Sequence, residues 1–254
     1  EVVRQLISHG ATIDIKDNEN GWTPLFSAAN TGNNEHTKVL LDTEADTNIL
    51  SNTGENLLYV AAKGGLTGLV KQLISDGMNP GVVVQNGRTA LIEAAEKGNT
   101  EIVGLLLETG AYVNYSVNEG EEKGLTALIA SVRSNNIETV TLILKHGANI
   151  NSKMKNESNN NETPLHIAAC NGQSEIVKLL LDHGIDANSK CACNKSKENY
   201  PIFLAAENGH TESINLLLKH GVNTKVTNGQ GQKLLHVAAK QNLAFLAREV
   251  ISDK

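Results

Sequence analysis

The segment TPLHIAACNGQSEIVKLLLDHG, residues 163–184, holds two short helical phrases separated by a glycine turn. Thr163 is suited to cap a helix, because its hydroxyl can accept from an orphan backbone N–H, and Pro164 follows at the first helical position, where no donor is lost. The first phrase runs to Gly172, a residue that enters the left-handed conformation without a Cβ penalty and so closes the helix. Ile176, Val177 and the run Leu179 to Leu181 then give the second phrase its apolar side, and Gly184 stops it. Neither phrase is long enough to be a stable helix alone, so both must bury apolar surface against neighbours.

Those neighbours lie in the same chain. WTPLFSAANTG at 22, RTALIEAAEKG at 88 and NYPIFLAAENG at 199 are variants of the first phrase, with weaker copies at ENLLYVAAKGG (55), LTALIASVRSN (125) and QKLLHVAAKQN (232). The second phrase returns as EIVGLLLETGA at 101, ETVTLILKHGA at 138 and ESINLLLKHGV at 212. With the residue two before the threonine position as origin, units begin at Gly21, Gly54, Gly87, Gly124, Asn161, Glu198 and Gly231, in steps of 33, 33, 37, 37, 37 and 33 residues. Self-similarity at this period marks a solenoid in which each unit is covered by the next. Where the first helix should end, most units have glycine and two have Asn135 and Asn242, the next-best residue for a left-handed cap.

The chain therefore reads as one all-α repeat domain over residues 1–254: a partial unit at 1–20, full units at 21–53, 54–86, 87–123, 124–160, 161–197 and 198–230, and a partial unit at 231–254. Composition agrees. Aromatic residues make up 3% of the chain, so small and aliphatic side chains must fill the core. A formal charge of −6 and the lack of a basic block exclude nucleic acid as the expected partner. No run of 18 apolar residues is present, so no membrane insertion is expected. Three cysteines without framework spacing point to a reducing, cytoplasmic compartment. Both ends read as cut from a longer array, since neither carries a polar cap.

Seven phrases in phase resemble an ankyrin-repeat array, and 163–184 is nearly the family consensus. The resemblance implies helix–turn–helix units with hairpin-like connectors, stacked into a hand with a concave palm. It also implies protein recognition without chemistry of its own. Departures occur: Asn56-Leu57, Tyr200-Pro201 and Lys233-Leu234 replace the Thr-Pro pair, and Glu44 stands where glycine is usual. Units two and seven are expected to be locally weaker.

On this frame, contacts to a polypeptide partner are expected from the residue before each first helix and from the end of that helix. The first column is Trp22, Glu55, Arg88, Leu125, Glu162, Asn199 and Gln232; the second is Asn30, Lys63, Glu96, Arg133, Cys170, Glu207 and Lys240. Tryptophan and arginine are the favoured anchors at interfaces. Trp22 has two readings, an exposed anchor or a cover over the neighbouring connector. Three consecutive connectors, YSVNEGEEKG (115–124), SKMKNESNNNE (152–162) and SKCACNKSKENY (189–200), each carry four extra residues and should stack along one edge, as a binding ledge or as inert loops.

Catalysis is not expected. His9, His146, His183 and His220 all precede a helix-ending glycine, and His166 and His236 share one place in the first phrase, so repeat position accounts for them. No phosphate loop, zinc-protease helix or nucleophile elbow occurs, and no cofactor, metal or small-molecule substrate is implied. Cys191 and Cys193 lack a second pair for zinc, and a disulfide between them would close a strained ring. Asn-x-Ser sequons at Asn114, Asn156 and Asn194 matter only in a secreted protein. The resemblance further implies that Asn188, preceded by Asp186 and by Leu180, is a candidate for asparaginyl hydroxylation. The functional expectation is a protein-binding scaffold; the alternative is the same array serving within a membrane channel, a secreted toxin or a ubiquitin-ligase adaptor.

Overall fold

Each threonine read as a cap does begin a helix. Thr23, Thr89 and Thr126 accept through Oγ1 from the amides of Phe26, Ile92 and Ile129 at 3.3–3.4 Å. In unit two Asn56 takes over the task, with Oδ1 accepting from Tyr59 N at 2.8 Å, so losing Thr-Pro leaves no open helix end there. The fold comes from a computed structural model describing residues 2–155, 161–192 and 199–252. The origin residue Glu198, Cys193 and the sequons at Asn156 and Asn194 lie outside the described residues.

The chain divides into two compact units, Glu1–Val113 and Asn114–Lys254. The first holds α1 (Val2–Ser8), α2 (Pro24–Asn30), α3 (Asn34–Asp42), α4 (Leu57–Gly64), α5 (Thr67–Ser75), α6 (Ala90–Glu96) and α7 (Thr100–Glu108). Here α2, α4 and α6 pack in a row, and each also packs on the second helix of its own repeat. The middle helix is enclosed: every residue of α4 from Leu57 to Ala62 is buried. Gly64 makes this close approach possible, since a Cβ there would collide with the Ala29 carbonyl.

The second unit holds α8 (Ala127–Arg133), α9 (Ile137–Lys145), α10 (Pro164–Cys170), α11 (Ser174–Asp182), α12 (Pro201–Glu207), α13 (Thr211–Lys219), α14 (Leu234–Lys240) and α15 (Ala244–Ser252). Its inner row is α8, α10, α12 and α14, with α9, α11 and α13 behind. All of Pro164 to Ala169 and of Pro201 to Ala206 are buried, whereas α14 buries only Leu234, Val237 and Ala238 and leaves Leu235 39% exposed. Unit seven is thus the thinly covered one. Among the described residues the only β-structure consists of isolated antiparallel bridges at connector stems, such as Ser116 with Thr126 and Cys191 with Asn199.

Repeats are also clasped through their helix ends. Side chains between the two helices of a repeat donate to a terminal carbonyl of the preceding repeat's first helix: Asn99 to Ala62 O (3.0 Å), Gln173 to Val132 O (2.9 Å) and Gln241, two positions earlier in its repeat, to Glu207 O (2.9 Å). His210 Nε2 meets Cys170 O at 2.9 Å in the same way. These bonds satisfy carbonyls that a helix cannot satisfy by itself.

Asn135 and Asn242 take φ of 55°, as their place in the turn requires, and Glu44 takes φ of 63°. A side chain with a Cβ is strained there, and glutamate has no local hydrogen bond to compensate. Glu44→Gly is expected to stabilise the first unit by about 0.5–1 kcal/mol, once glycine's greater unfolded-state freedom is subtracted. A urea titration should show a raised midpoint with an unchanged slope.

Candidate partner-binding surface

In the first unit the column before the first helices forms a linked polar row. Trp22 is half-buried: its Nε1 donates to Glu55 Oε2 at 2.8 Å, and Lys63 Nζ stands 5.9 Å from its ring centroid. The indole therefore lies against the next repeat, its edge held by a carboxylate and its face near an ammonium group. Trp22 thus covers its neighbour with part of the ring, and the other part faces solvent.

Arg88 is placed differently from the expectation. It is only 8% exposed, and its Nη1 donates to Glu93 Oε1 at 2.8 Å and to Glu96 Oε2 at 2.6 Å. Tyr59 OH donates to the same Glu93 oxygen at 2.7 Å, and burial together with that carboxylate pushes the phenol pKa upward. Tyr59, Arg88 and Glu93 thus form an internal network between α4 and α6. The sequence held a signal for it, because Glu93 occupies a place where the other repeats have Ser27, Val60, Ala130, Ile167, Leu204 and Val237.

In the second unit the same columns separate into interior and surface. Leu125 is 0% exposed, and its carbonyl accepts from Val117 N at 2.9 Å, so as a partner contact it is corrected: the lengthened connector folds over it. Asn199 is 4% exposed and serves the repeat itself, with Oδ1 accepting from Tyr200 N at 3.0 Å and Nδ2 donating to Glu207 Oε2 at 3.4 Å. Asn228 reaches the other oxygen of Glu207 at 3.2 Å. What remains at the surface is Arg133, which is exposed, with half-buried Glu162, Cys170 and Glu207. Burial raises the Glu162 pKa while the Arg133 charge pulls it back.

Cys170 is a free thiol, and burial, then the nearby Glu162 carboxylate, raises its pKa. The protonated thiol is a poor nucleophile, so this position offers packing and polarity rather than reactivity. Cys191 is disulfide-bonded, which corrects the expectation of a reduced loop; it sits buried where its backbone pairs with Asn199, and its partner is not among the described residues.

The histidines before the helix-ending glycines do interact with helix C-termini. Nδ1 of His9, His146, His183 and His220 lies 2.7–2.9 Å from the carbonyl four residues earlier, and since a carbonyl only accepts, that nitrogen carries the proton. His166 is fully buried; its Nδ1 accepts from Thr163 N at 3.3 Å, and burial lowers its pKa to about 4. Connector asparagines link neighbours: Asn114 Oδ1 accepts from Asn149 N at 2.6 Å, and Asn188 Oδ1 from Asn223 N at 2.8 Å. Asn188 is nevertheless exposed, and its own amide donates to Asp186 Oδ1 at 2.9 Å. No cluster of three or more His, Cys, Asp or Glu residues able to hold a metal occurs among the described residues.

Paired short helices, the left-handed turns between them and bridged connectors at this period decide the family when set beside known proteins. The family described as "Ankyrin repeats (3 copies)" matches residues 1–83, 58–154, 114–191 and 189–253. The chain belongs to the ankyrin-repeat family. Within it, 62 residues are 42% identical to the ankyrin repeat protein nuc-2 of Neurospora crassa, a match that takes in 24% of this chain and only 6% of that protein. The crystal structure of the human ASB11 ankyrin repeat domain aligns with a TM-score of 0.75 over 92% of this chain and 98% of that one, at 24% identity, a likeness of fold. Ankyrin repeats are in general protein-interaction modules, and no helix among the described residues is long and apolar enough to cross a membrane.

Two outcomes follow for the buried polar groups of this ankyrin array. Arg88→Ala strands the Glu93 carboxylate, and should destabilise the first unit by about 3–5 kcal/mol, seen as early loss of helical circular dichroism in urea. For His166 the folded pKa lies below the ordinary 6.5, so the unfolded chain binds the extra proton first. The contribution of His166 is complete above pH 6.5 and is lost as the pH falls towards 4, a total on the order of 3 kcal/mol. His166→Gln should flatten that part of the stability–pH curve.

Proposed function

We propose that this chain is a non-catalytic scaffold that binds a polypeptide partner through the surface side chains at the two ends of its first helices and through its long connectors. The observation that carries the reading is a row in each unit, Trp22, Glu55 and Lys63 in one and, separately, Arg133, Glu162 and Glu207 in the other. These side chains are half-buried or exposed, and they are not what fills the space between helices. A half-exposed tryptophan fixed by a hydrogen bond is a pre-organised anchor, since its ring loses little further freedom on binding. Gln232 extends the row less strongly, because Asn228 already engages both its side chain and its backbone.

Arg88, Leu125 and Asn199 take part in this reading only indirectly, by holding the repeats that present the row. Asn188 stands as the acceptor for hydroxylation: its exposure and its place two residues after Asp186 support that role. Mass spectrometry after treatment with an asparaginyl hydroxylase, with Asn188→Gln as the blank, checks it. We place the chain in the cytoplasm on its cysteine spacing; the Cys191 disulfide weighs against this. Service as one module of a larger effector is the second reading, and it is favoured by the small share of the nuc-2 protein that the match occupies.

The test is affinity capture with the immobilised chain, followed by titration of any captured protein against Trp22→Ala and Arg133→Glu. Loss of an anchor at the centre of an interface should weaken binding at least about tenfold. A partner held equally by both variants, with their fold intact by circular dichroism, moves the binding surface off this row.

A further inference from the structure

The first two lengthened connectors enclose a cleft of about 400 Å³ within the second unit. One wall comes from the first lengthened connector, with Ser116, Asn118 and Lys123 in the lining, the other from Asn151 and the second connector, with Lys153 and Lys155. The walls are anchored from below. Val117 and Met154 are buried at the two stems, where Val117 N donates to Leu125 O and Met154 N to Glu162 O, both at 2.9 Å. They are also tied to each other, by Lys155 N donating to Lys123 O at 2.7 Å and by Asn114, which accepts from Asn149 N and donates to Gly147 O at 3.1 Å. Gly124, at φ of 90°, permits the approach, since a Cβ there would strike the Lys153 carbonyl.

Three cations face this cleft, Lys123, Lys153 and Lys155, all of them exposed. Among the described residues no carboxylate lines it and none of the three lysines forms an ion pair. The same connector carries Glu119, Glu121 and Glu122, which stay outside the lining. Three ammonium-bearing side chains thus border a polar recess in a chain of net charge −6, and their charge favours an anionic ligand there. The lining contains neither an aromatic ring to stack a base nor an arginine fork for bidentate phosphate, but it has amides and hydroxyls that can serve a peptide backbone.

We propose that this cleft binds an acidic polypeptide segment, with Asp or Glu side chains of the partner paired to Lys123, Lys153 and Lys155. The proposal rests on the scaffold reading above and names the chemistry of one partner segment. It also gives the added connector residues a purpose, because the extension raises two walls where a short connector has one turn.

The experiment uses the whole chain and a dye-labelled oligo-glutamate peptide, followed by fluorescence anisotropy. Saturable binding is expected, weakening as salt is raised and falling at least about tenfold in Lys123→Glu/Lys155→Glu. The bonds between the walls that involve these residues are backbone bonds, so Lys123→Gln/Lys155→Gln serves as a milder check with the fold retained. Lys38→Gln, at an exposed lysine outside the rows and the cleft, should leave this binding unchanged. An oligo-glutamine peptide that binds as well, a glutamate peptide that does not bind at low salt, or charge-reversed protein that binds it undiminished overturns the proposal. So does inorganic phosphate or an anionic phospholipid vesicle that binds while the peptide does not. A captured partner that needs Trp22 and Arg133 but is not displaced by oligo-glutamate sinks the cleft and leaves the scaffold reading standing.

Discussion

A seven-residue helix such as α8 or α12 cannot hold itself together in water, because nucleation costs more than so few backbone bonds return. Burial against the rows on either side supplies the difference, and it dictates composition. Positions between two helices must be small or aliphatic, which is why Ala61-Ala62, Ala94-Ala95 and Ala168-Ala169 are enclosed. The polar ends of such helices then become the problem, since a buried carbonyl without a partner costs as much as a lost hydrogen bond. The structure answers with side chains borrowed from the following repeat and with the threonine and asparagine caps.

The candidate surface follows from the same constraint. Once the first helices are surrounded, only their two ends and the connectors can carry side chains that do nothing for the core. That leaves room for Trp22, Arg133 and Glu162 to differ between repeats. It also explains why a polar residue driven inward, such as Glu93, must bring its own company in Tyr59 and Arg88.

Much of this was legible in the sequence. The period, the caps and the left-handed turn positions follow from local chemistry, and Asn135 in place of glycine adopts the conformation its slot demands. Position counting failed where it assumed that one column means one environment. Leu125 stands in a column otherwise made of Trp22, Glu55, Arg88, Glu162, Asn199 and Gln232, and its lone aliphatic character was itself the sign that the longer connector buries it. Arg88 was misplaced for another reason: its partners Glu93 and Glu96 follow five and eight residues later, but which of them an arginine meets depends on how α6 packs against α4. The lysine cleft was beyond reach from sequence, because Lys123 and Lys155 come together only when two connectors pair.

The clasps between repeats bear on how the chain is made. Each joins a helix end to a side chain 34 to 41 residues further along, from Gln241 on Glu207 to Gln173 on Val132. A ribosome adds roughly 5–20 residues per second, so the donor emerges about 2–8 s after the carbonyl it completes. A repeat that is clasped in this way therefore leaves the exit tunnel unfinished and is closed by its successor. During that interval the newest helix pair is the weakest part of the nascent chain, and chaperone contact is best timed to the moving end of the array rather than to any fixed segment.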